Sequence, residues 1–314
     1  MIYGSVCSGI EAATAAWEPL GWEAAWFAQF DPEHNYGRGP DFRSAVLAHR
    51  YPQIPNLGDM TKIHDDDTFK QRAIDLLVGG TPCQSFSVAG LRKGLDDPRG
   101  NLALEFLRLA DVKEPRWVLW ENVPGVLTSS GGRDFGSFVG ALAQLGYGFA
   151  WRVLDAQHFG VPQRRRRVFV VGHHGDWRRA AAVLFEGGSL GPGEEAAPEG
   201  PGEVCEPPAD GRSWWNGRHV SETLQKGGMK QAMPEKARLQ AVLDEEGGKP
   251  FLRWLTPVEC ERLQGFPDGY TQIPWKGKPA GDCPPNPRYA AIGDSMAVPV
   301  MSWLGRRIAE VDTL

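Results

Sequence analysis

Three groups of side chains in this chain have types and spacings suited to chemistry. Cys83 lies in a run from Ile74 to Gly90, where a short branched apolar stretch, Ile74 to Val78, ends at Gly79 and Gly80. Such a stretch reads as a buried strand reaching the edge of a sheet. Pro82 fixes its own φ and biases Thr81 to an extended conformation, while the two glycines admit a close neighbour, so the thiol is presented on a stiff arm. A presented thiol can act as a nucleophile, although a cysteine taken alone is more often inert packing. Glu121 follows the apolar run Trp117 to Trp120. Desolvation at the carboxyl end of a buried strand favours its neutral form, which suits a general acid; taken alone, it is better read as half of a salt bridge. Arg164 to Arg167 run straight into Val168 to Val171. Within a strand, alternate arginines face opposite sides of the sheet, so Arg165 and Arg167 share one face.

These groups need a scaffold, and the hydrophobic patterning supplies one. Ile2 to Val6 and Trp22 to Phe30 read as strands, and Leu57 to Met60 as the end of a third. Helices are expected from Ile10 to Trp17, from Gly39 to His49, from Asp97 to Asp111 and from Phe135 to Leu145, with a further strand from Gly148 to Leu154. Alternating strands and helices predict a doubly wound α/β domain. The glycine turn Cys7-Ser8-Gly9 then lies at the carboxyl end of the first strand, where such sheets bind nucleotides. Gln29, Phe30 and Asp31 close the second strand, where those folds place an acid for ribose hydroxyls. Thr256, Pro257, Glu259 and Gly265 read as N-cap, N1, N3 and stop of one helix. Tyr289 to Pro299 reads as the start of a terminal helix.

Composition bounds the reading. The 314 residues, 41% of them hydrophobic, allow one large domain or two modest ones, and there is no apolar run long enough to span a bilayer. Met1 to Ser5 lacks the basic and apolar regions of a signal peptide, so a cytoplasmic location is expected. Five scattered cysteines without a Cys-x-x-Cys pair argue against both a disulfide framework and a zinc site. The net charge of −5 is awkward for a nucleic-acid partner. Residues 186–211, however, hold seven acids and no Lys or Arg, and leaving them aside gives +2. That segment, rich in Gly, Pro and Glu, reads as a linker or disordered loop. Arg212 to Arg253 then holds eight Lys and Arg against five acids.

The run Pro82-Cys83-Gln84, with Phe86, Ser87, Ala89 and Gly90, resembles the nucleophile loop of the DNA (cytosine-5)-methyltransferases. Blocks from Ser5 to Pro299 stand in that family's order, including Glu121-Asn122-Val123, Gln163 to Arg167 and Gly293 to Pro299. The resemblance implies a Rossmann-like S-adenosylmethionine-dependent domain, residues 1–185 plus 284–314, with a smaller target-recognition domain inserted at 186–283. It also implies methyl transfer to cytosine C5 in double-stranded DNA through a covalent bond from Cys83, with Glu121 stabilising the addition and Arg165 and Arg167 holding the flipped base and its phosphate. Gln84, Ser87, Asn122, Val123 and Gln163 would meet the substrate. Ser8, Gly9, Ile10, Gln29, Phe30, Asp31, Asp59, Met60, Pro82, Leu102, Asp294 and Ser295 would meet the cofactor, and no metal is implied. Leu91 to Asp97 would be the flap that closes over substrate.

Two positions depart from the family pattern: Gln29 stands where Glu is usual, and Asp294 where Asn is usual. The RNA branch of the family carries a Cys-Phe-Thr tripeptide, and this chain has Cys260-Glu261-Arg262. An RNA methyltransferase, a silent DNA-binding relative and an enzyme transferring another group remain alternatives. The first block, Cys7 to Ala13, and the chain length resemble stand-alone enzymes of bacteriophages and prophages. The implied role is modification of viral DNA against host restriction by a monomer.

Overall fold

The computed structural model describes residues 1–31, 40–81, 102–185, 241–246 and 249–314. The chain enters through β1 (Ile2–Val6), α1 (Ala12–Trp17), β2 (Glu23–Ala28), α2 (Phe42–Arg50), α3 (Asp67–Gln71) and β3 (Leu76–Gly79). It continues through α4 (Leu102–Lys113), β4 (Trp117–Asn122), α5 (Arg133–Gln144), β5 (Tyr147–Asp155), β6 (Arg166–His174) and α6 (Trp177–Leu184). After a hairpin of β7 (Ala241–Glu246) and β8 (Lys249–Trp254) it closes with α7 (Pro257–Gln264), α8 (Pro285–Asp294) and α9 (Val298–Asp312).

The main sheet has the order β2-β1-β3-β4-β6-β5. Strands β1 to β4 are parallel, and β6 lies antiparallel to both β4 and β5. The central strands alternate between two cores, as a sheet covered on both faces requires. Leu76, Trp117, Leu119, Phe169 and Val171 join the core formed with α1, α6 and α9. Leu77, Val118, Trp120, Val168 and Val170 join the one formed with α4 and α5. The doubly wound α/β class expected from the patterning is therefore present. None of the described helices is long and apolar enough to cross a membrane.

Two expected elements differ. The segment ending at Met60 forms no strand, being joined to β2 only by one bridge, Phe27 to Asn56. Gly58 takes φ +80° and the Asp59 carboxylate accepts from Thr61 N and Oγ1, so the chain turns before a ladder can grow. The terminal helix starts at Val298, because α8 stops at Asp294 and Ser295 is extended (ψ 154°). Pro299 lies in the first turn of α9, where its missing N–H costs nothing.

The helix expected from Thr256 forms with its caps as read. Thr256 Oγ1 accepts from Glu259 N, the Glu259 carboxylate accepts from Thr256 N at 2.7 Å, and Gly265 ends the helix at φ +79°.

Candidate active site

The carboxyl ends of β1 to β4 and the start of β6 meet along one edge of the sheet. The loop after β1 is unusual for its backbone: Cys7, Gly9 and Glu11 take φ of 49°, 58° and 63°, a region costly for the two non-glycine residues. Glu11 sustains it from below. Its buried carboxylate accepts from Ser5 Oγ at 2.5 Å, from Thr14 Oγ1 at 2.7 Å and from Thr14 N. Burial pushes its pKa up, and the hydroxyls of Ser5 and Thr14 oppose that rise. Tyr270 clamps the same loop by donating to Ile10 O at 2.7 Å.

At the end of β2, Gln29 Oε1 accepts from Gly9 N at 2.7 Å, so the first two strand ends are tied together. A Cβ on Gly9 would meet nothing within 4 Å, and Ser8 beside it is half-buried with its hydroxyl on Ser5 O. Phe30 is 40% exposed although it directly follows a buried run. An open backbone turn, an exposed ring and a side-chain amide form a donor set that fits a nucleoside with a polar tail. Asp31 is buried and ion-paired to Arg43, whose other terminal nitrogen pairs with Asp294. Asp59 holds its own turn, Met60 is buried with its sulfur 3.6 Å from Cys7 Sγ, and Leu102 is half-buried at the start of α4.

Pro82, Cys83, Gln84, Ser87 and the segment Leu91 to Asp97 lie outside the described residues, as do residues 186–240. The anchor of the cysteine loop is described. Thr81 is buried, its hydroxyl accepts from Trp120 Nε1 at 2.9 Å and its carbonyl accepts from Asn122 Nδ2 at 3.0 Å. Two side chains of β4 thus fix the residue two places before Cys83. Asn122, expected to meet substrate, uses its amide for that task and for Val123 N; Val123 itself is 42% exposed.

Glu121 is the penultimate residue of β4 and only 9% exposed. Gly80 passes directly over it, since a Cβ there would come within 2.9 Å of Glu121 Oε2 and 3.1 Å of Met296 Cε. Arg167 brings Nε to 3.1 Å from Glu121 Oε1, which is buried and has no well-aligned hydrogen bond among the described residues. Burial raises the Glu121 pKa, and the positive charges of Arg167 and Arg165 pull it partly back.

Exposure alternates along the arginine run, of which Arg166 and Arg167 lie in β6: Arg164 and Arg166 are exposed, Arg165 is buried, and Arg167 is largely covered. Arg165 donates to Gly293 O at 3.2 Å and to Ser295 O at 2.6 Å, and burial, then the neighbouring Arg167, push its pKa down to about 10. Gln163, expected at the substrate, is fully buried and donates to Leu263 O at 2.8 Å, docking the run onto α7. Arg43 escaped the sequence reading. The one signal for it was an unexplained acid at 294 that required a cation.

A family model for C-5 cytosine-specific DNA methylase matches residues 1–189 and 193–310. A protein of Escherichia phage P1 named DNA N-6-adenine-methyltransferase is 33% identical over 474 aligned positions, covering 99% of this chain and 61% of its own length. Type II methyltransferase M.SsoII of Shigella sonnei is 30% identical, covering 90% of this chain and 71% of its own. The orphan methyltransferase M.Rho11sI of Bacillus phage rho11s is 36% identical over 54% of this chain and 32% of its own. The chain thus spans about a third to about seven-tenths of these relatives. Among solved structures, the Dnmt2 methyltransferase of S. pombe superposes with a TM-score of 0.68 at 17% identity, covering all of both chains. A prophage-encoded DNA modification methyltransferase of E. coli superposes at 0.61 and 16%. From the strand-end carboxylate, its paired arginine and a family match running through both ends of the sheet, this chain belongs to the C-5 cytosine-specific DNA methylase family.

Proposed function

We propose that this chain methylates C5 of cytosine in double-stranded DNA, using S-adenosylmethionine. The observation that carries the reading is Glu121: a buried strand-end carboxyl paired with Arg167 and lying under the backbone that leads to Cys83. Cytosine C5 is a weak nucleophile. Bonding of the Cys83 thiolate to C6, with Glu121 donating a proton to N3, places electron density on C5. Bound in the turn of Ser8, Gly9 and Ile10 with Gln29, Phe30 and Asp31, the cofactor supplies an electrophilic methyl group on a sulfonium. Loss of the C5 proton then returns electrons to the ring and breaks the sulfur–C6 bond. Arg165 and Arg167 orient the base at O2 and its phosphate. None of these atoms is reachable in a stacked duplex, so the base is flipped out.

We assign catalysis to residues 1–185 and 284–314 and target recognition to 186–283, with modification of phage DNA against host restriction as the biological role. The name of the phage P1 relative prompts a second reading, transfer to adenine N6. An exocyclic amine needs neither a covalent thiolate nor a ring-protonating acid, so that reaction leaves Cys83 and Glu121 without a task. Nanopore and bisulfite sequencing of DNA from cells expressing the gene decides between them: 5-methylcytosine at a defined motif, absent with Cys83→Ser, is expected. N6-methyladenine, or methylation confined to RNA, would overturn the reading.

A further inference from the structure

We infer that Tyr270 is a positioning residue for the cofactor: its hydroxyl holds the turn after β1 in the strained shape that receives S-adenosylmethionine. This rests on the S-adenosylmethionine reading above. The turn carries φ of 49° at Cys7 and 63° at Glu11, conformations that residues with side chains keep only where the surroundings enforce them. Glu11 enforces them locally. Tyr270 does so from the far end of the chain, donating to Ile10 O at 2.7 Å across 260 residues. That carbonyl belongs to the rigid peptide plane joining Ile10 to Glu11, and the N–H of the same plane donates to Ser8 O at 2.9 Å. One peptide unit is therefore gripped at both ends, and the grip closes the turn around Ser8 and Gly9, where the cofactor is proposed to bind.

Tyr270 is itself fixed from several elements. Glu261, buried in α7, accepts from Gly269 N and from Thr271 N at 2.7 Å each, so the backbone on either side of Tyr270 is held. Arg288 of α8 pairs with the same carboxylate at 3.0 Å. Arg50, at the end of α2, donates Nε to Tyr270 O at 2.8 Å and lies over its ring, against which Phe266 also packs. The Tyr51 hydroxyl stands 3.0 Å from that of Tyr270. Since the single proton of Tyr270 is directed at Ile10, Tyr51 is the donor of that pair. Burial pushes the Tyr270 pKa well above its ordinary value, so the phenol keeps its proton and remains a donor. Side chains from α2, α7 and α8 thus converge on one hydroxyl whose acceptor is the turn after β1.

Calorimetric titration with S-adenosylhomocysteine and steady-state methylation kinetics test this on wild type, Tyr270→Phe and Tyr51→Phe, each checked for folding by circular dichroism and thermal melting. Tyr270→Phe keeps the ring and its packing and loses the hydroxyl. It should weaken S-adenosylhomocysteine binding about tenfold and raise the KM for S-adenosylmethionine by a similar factor, with kcat at saturating cofactor within about threefold of wild type. Tyr51→Phe leaves the bond to Ile10 in place and should change either quantity less than about threefold. A Tyr270→Phe protein that melts earlier yet binds like wild type has lost a purely structural hydroxyl, and that result would overturn the inference while leaving the cofactor reading in place. A loss confined to kcat, or equal losses of affinity in the two variants, would do the same. A wild type that does not bind S-adenosylhomocysteine would overturn both. If Tyr270→Phe fails to fold, hydrogen exchange of the unaltered protein decides: the ligand should slow the amides of Gly269 and Thr271 together with those of residues 8–11, and more than those of the β5–β6 ladder. Protection confined to residues 8–11 counts against the inference.

Discussion

Arg167 Nε lies 3.1 Å from Glu121 Oε1, an ion pair at the penultimate position of β4 that sets a buried carboxyl against a positive charge. Burial raises the Glu121 pKa above its ordinary value of 4.5. The protonated, donating form is therefore complete at low pH and is lost as pH rises through that raised value. The rate should fall on the alkaline side for this reason, against an opposite limb from thiolate formation at Cys83. Glu121→Gln keeps an N–H donor but cannot transfer a proton. It should lower kcat/KM by about 10²- to 10⁴-fold and flatten the limb belonging to Glu121 in a pH–rate profile.

Gly80→Ala should separate activity from stability. The new methyl meets the tips of two movable side chains, Glu121 Oε2 and Met296 Cε, so the fold can yield at small cost. Displacing the carboxyl by even a few tenths of an ångström misplaces the proton donor. A loss of kcat of tenfold or more is expected, with thermal denaturation showing destabilisation below about 1.5 kcal/mol. A fully active variant would mean that Glu121 need not be held where it stands.

Thr81→Val removes the acceptor for Trp120 Nε1 and leaves that buried N–H unpaired. Urea unfolding should show a loss of about 1–3 kcal/mol, the cost of an unsatisfied buried donor. Because Thr81 anchors the cysteine loop, trapping on a 5-fluorocytosine duplex should also slow in the variant.

Acid sensitivity should be visible at α7. The Arg253 guanidinium, paired with Glu259 at 2.8 Å, holds that carboxyl below its ordinary range, assisted by Thr256. A depressed folded-state pKa contributes stability that is present above about 4.5 and lost as pH falls through the lower value. Glu259→Gln should therefore melt earlier than wild type at pH 7, with the gap closing towards pH 3. Thr256→Ala, which removes the N-cap, should cost about 1 kcal/mol.

Gln29→Glu keeps an acceptor for Gly9 N and gains a charged oxygen for a ribose hydroxyl. S-adenosylhomocysteine should bind about 1 kcal/mol more tightly, the usual margin of a charge-assisted hydrogen bond over a neutral one. Calorimetry showing equal or weaker binding would assign the ribose to Asp31 alone.

Local patterning made much of this legible. The alternation of Arg164 to Arg167, the capped helix at Thr256 and the buried strand before Glu121 all depend on neighbours within a few residues. The strand expected before Met60 failed because Gly58 and Asp59 favour a turn, and no ladder from β2 was long enough to override it. The terminal helix was placed too early because Ala290 to Asp294 are helical, but in α8. What could not be read were pairings across long separations. Arg43 meets an acid 251 residues away, and Gln163 and Asn122 turn their amides to backbone carbonyls rather than towards the open edge.

The seat of Arg165 on the carbonyls of Gly293 and Ser295 also sets how late in synthesis the proposed base site can be completed. During synthesis, Cys83, Glu121 and Arg167 are all made well before the segment that seats Arg165. At about 5–20 residues per second, the 128 residues from Arg165 to Gly293 take roughly 6–26 seconds. A ribosome-bound chain carries Cys83, the proposed nucleophile, throughout that interval with the seat of Arg165 unfinished. In the proposed mechanism, covalent capture of cytosine therefore waits on α8 and the residues after it, and a chain stalled short of Gly293 is expected not to trap a 5-fluorocytosine duplex.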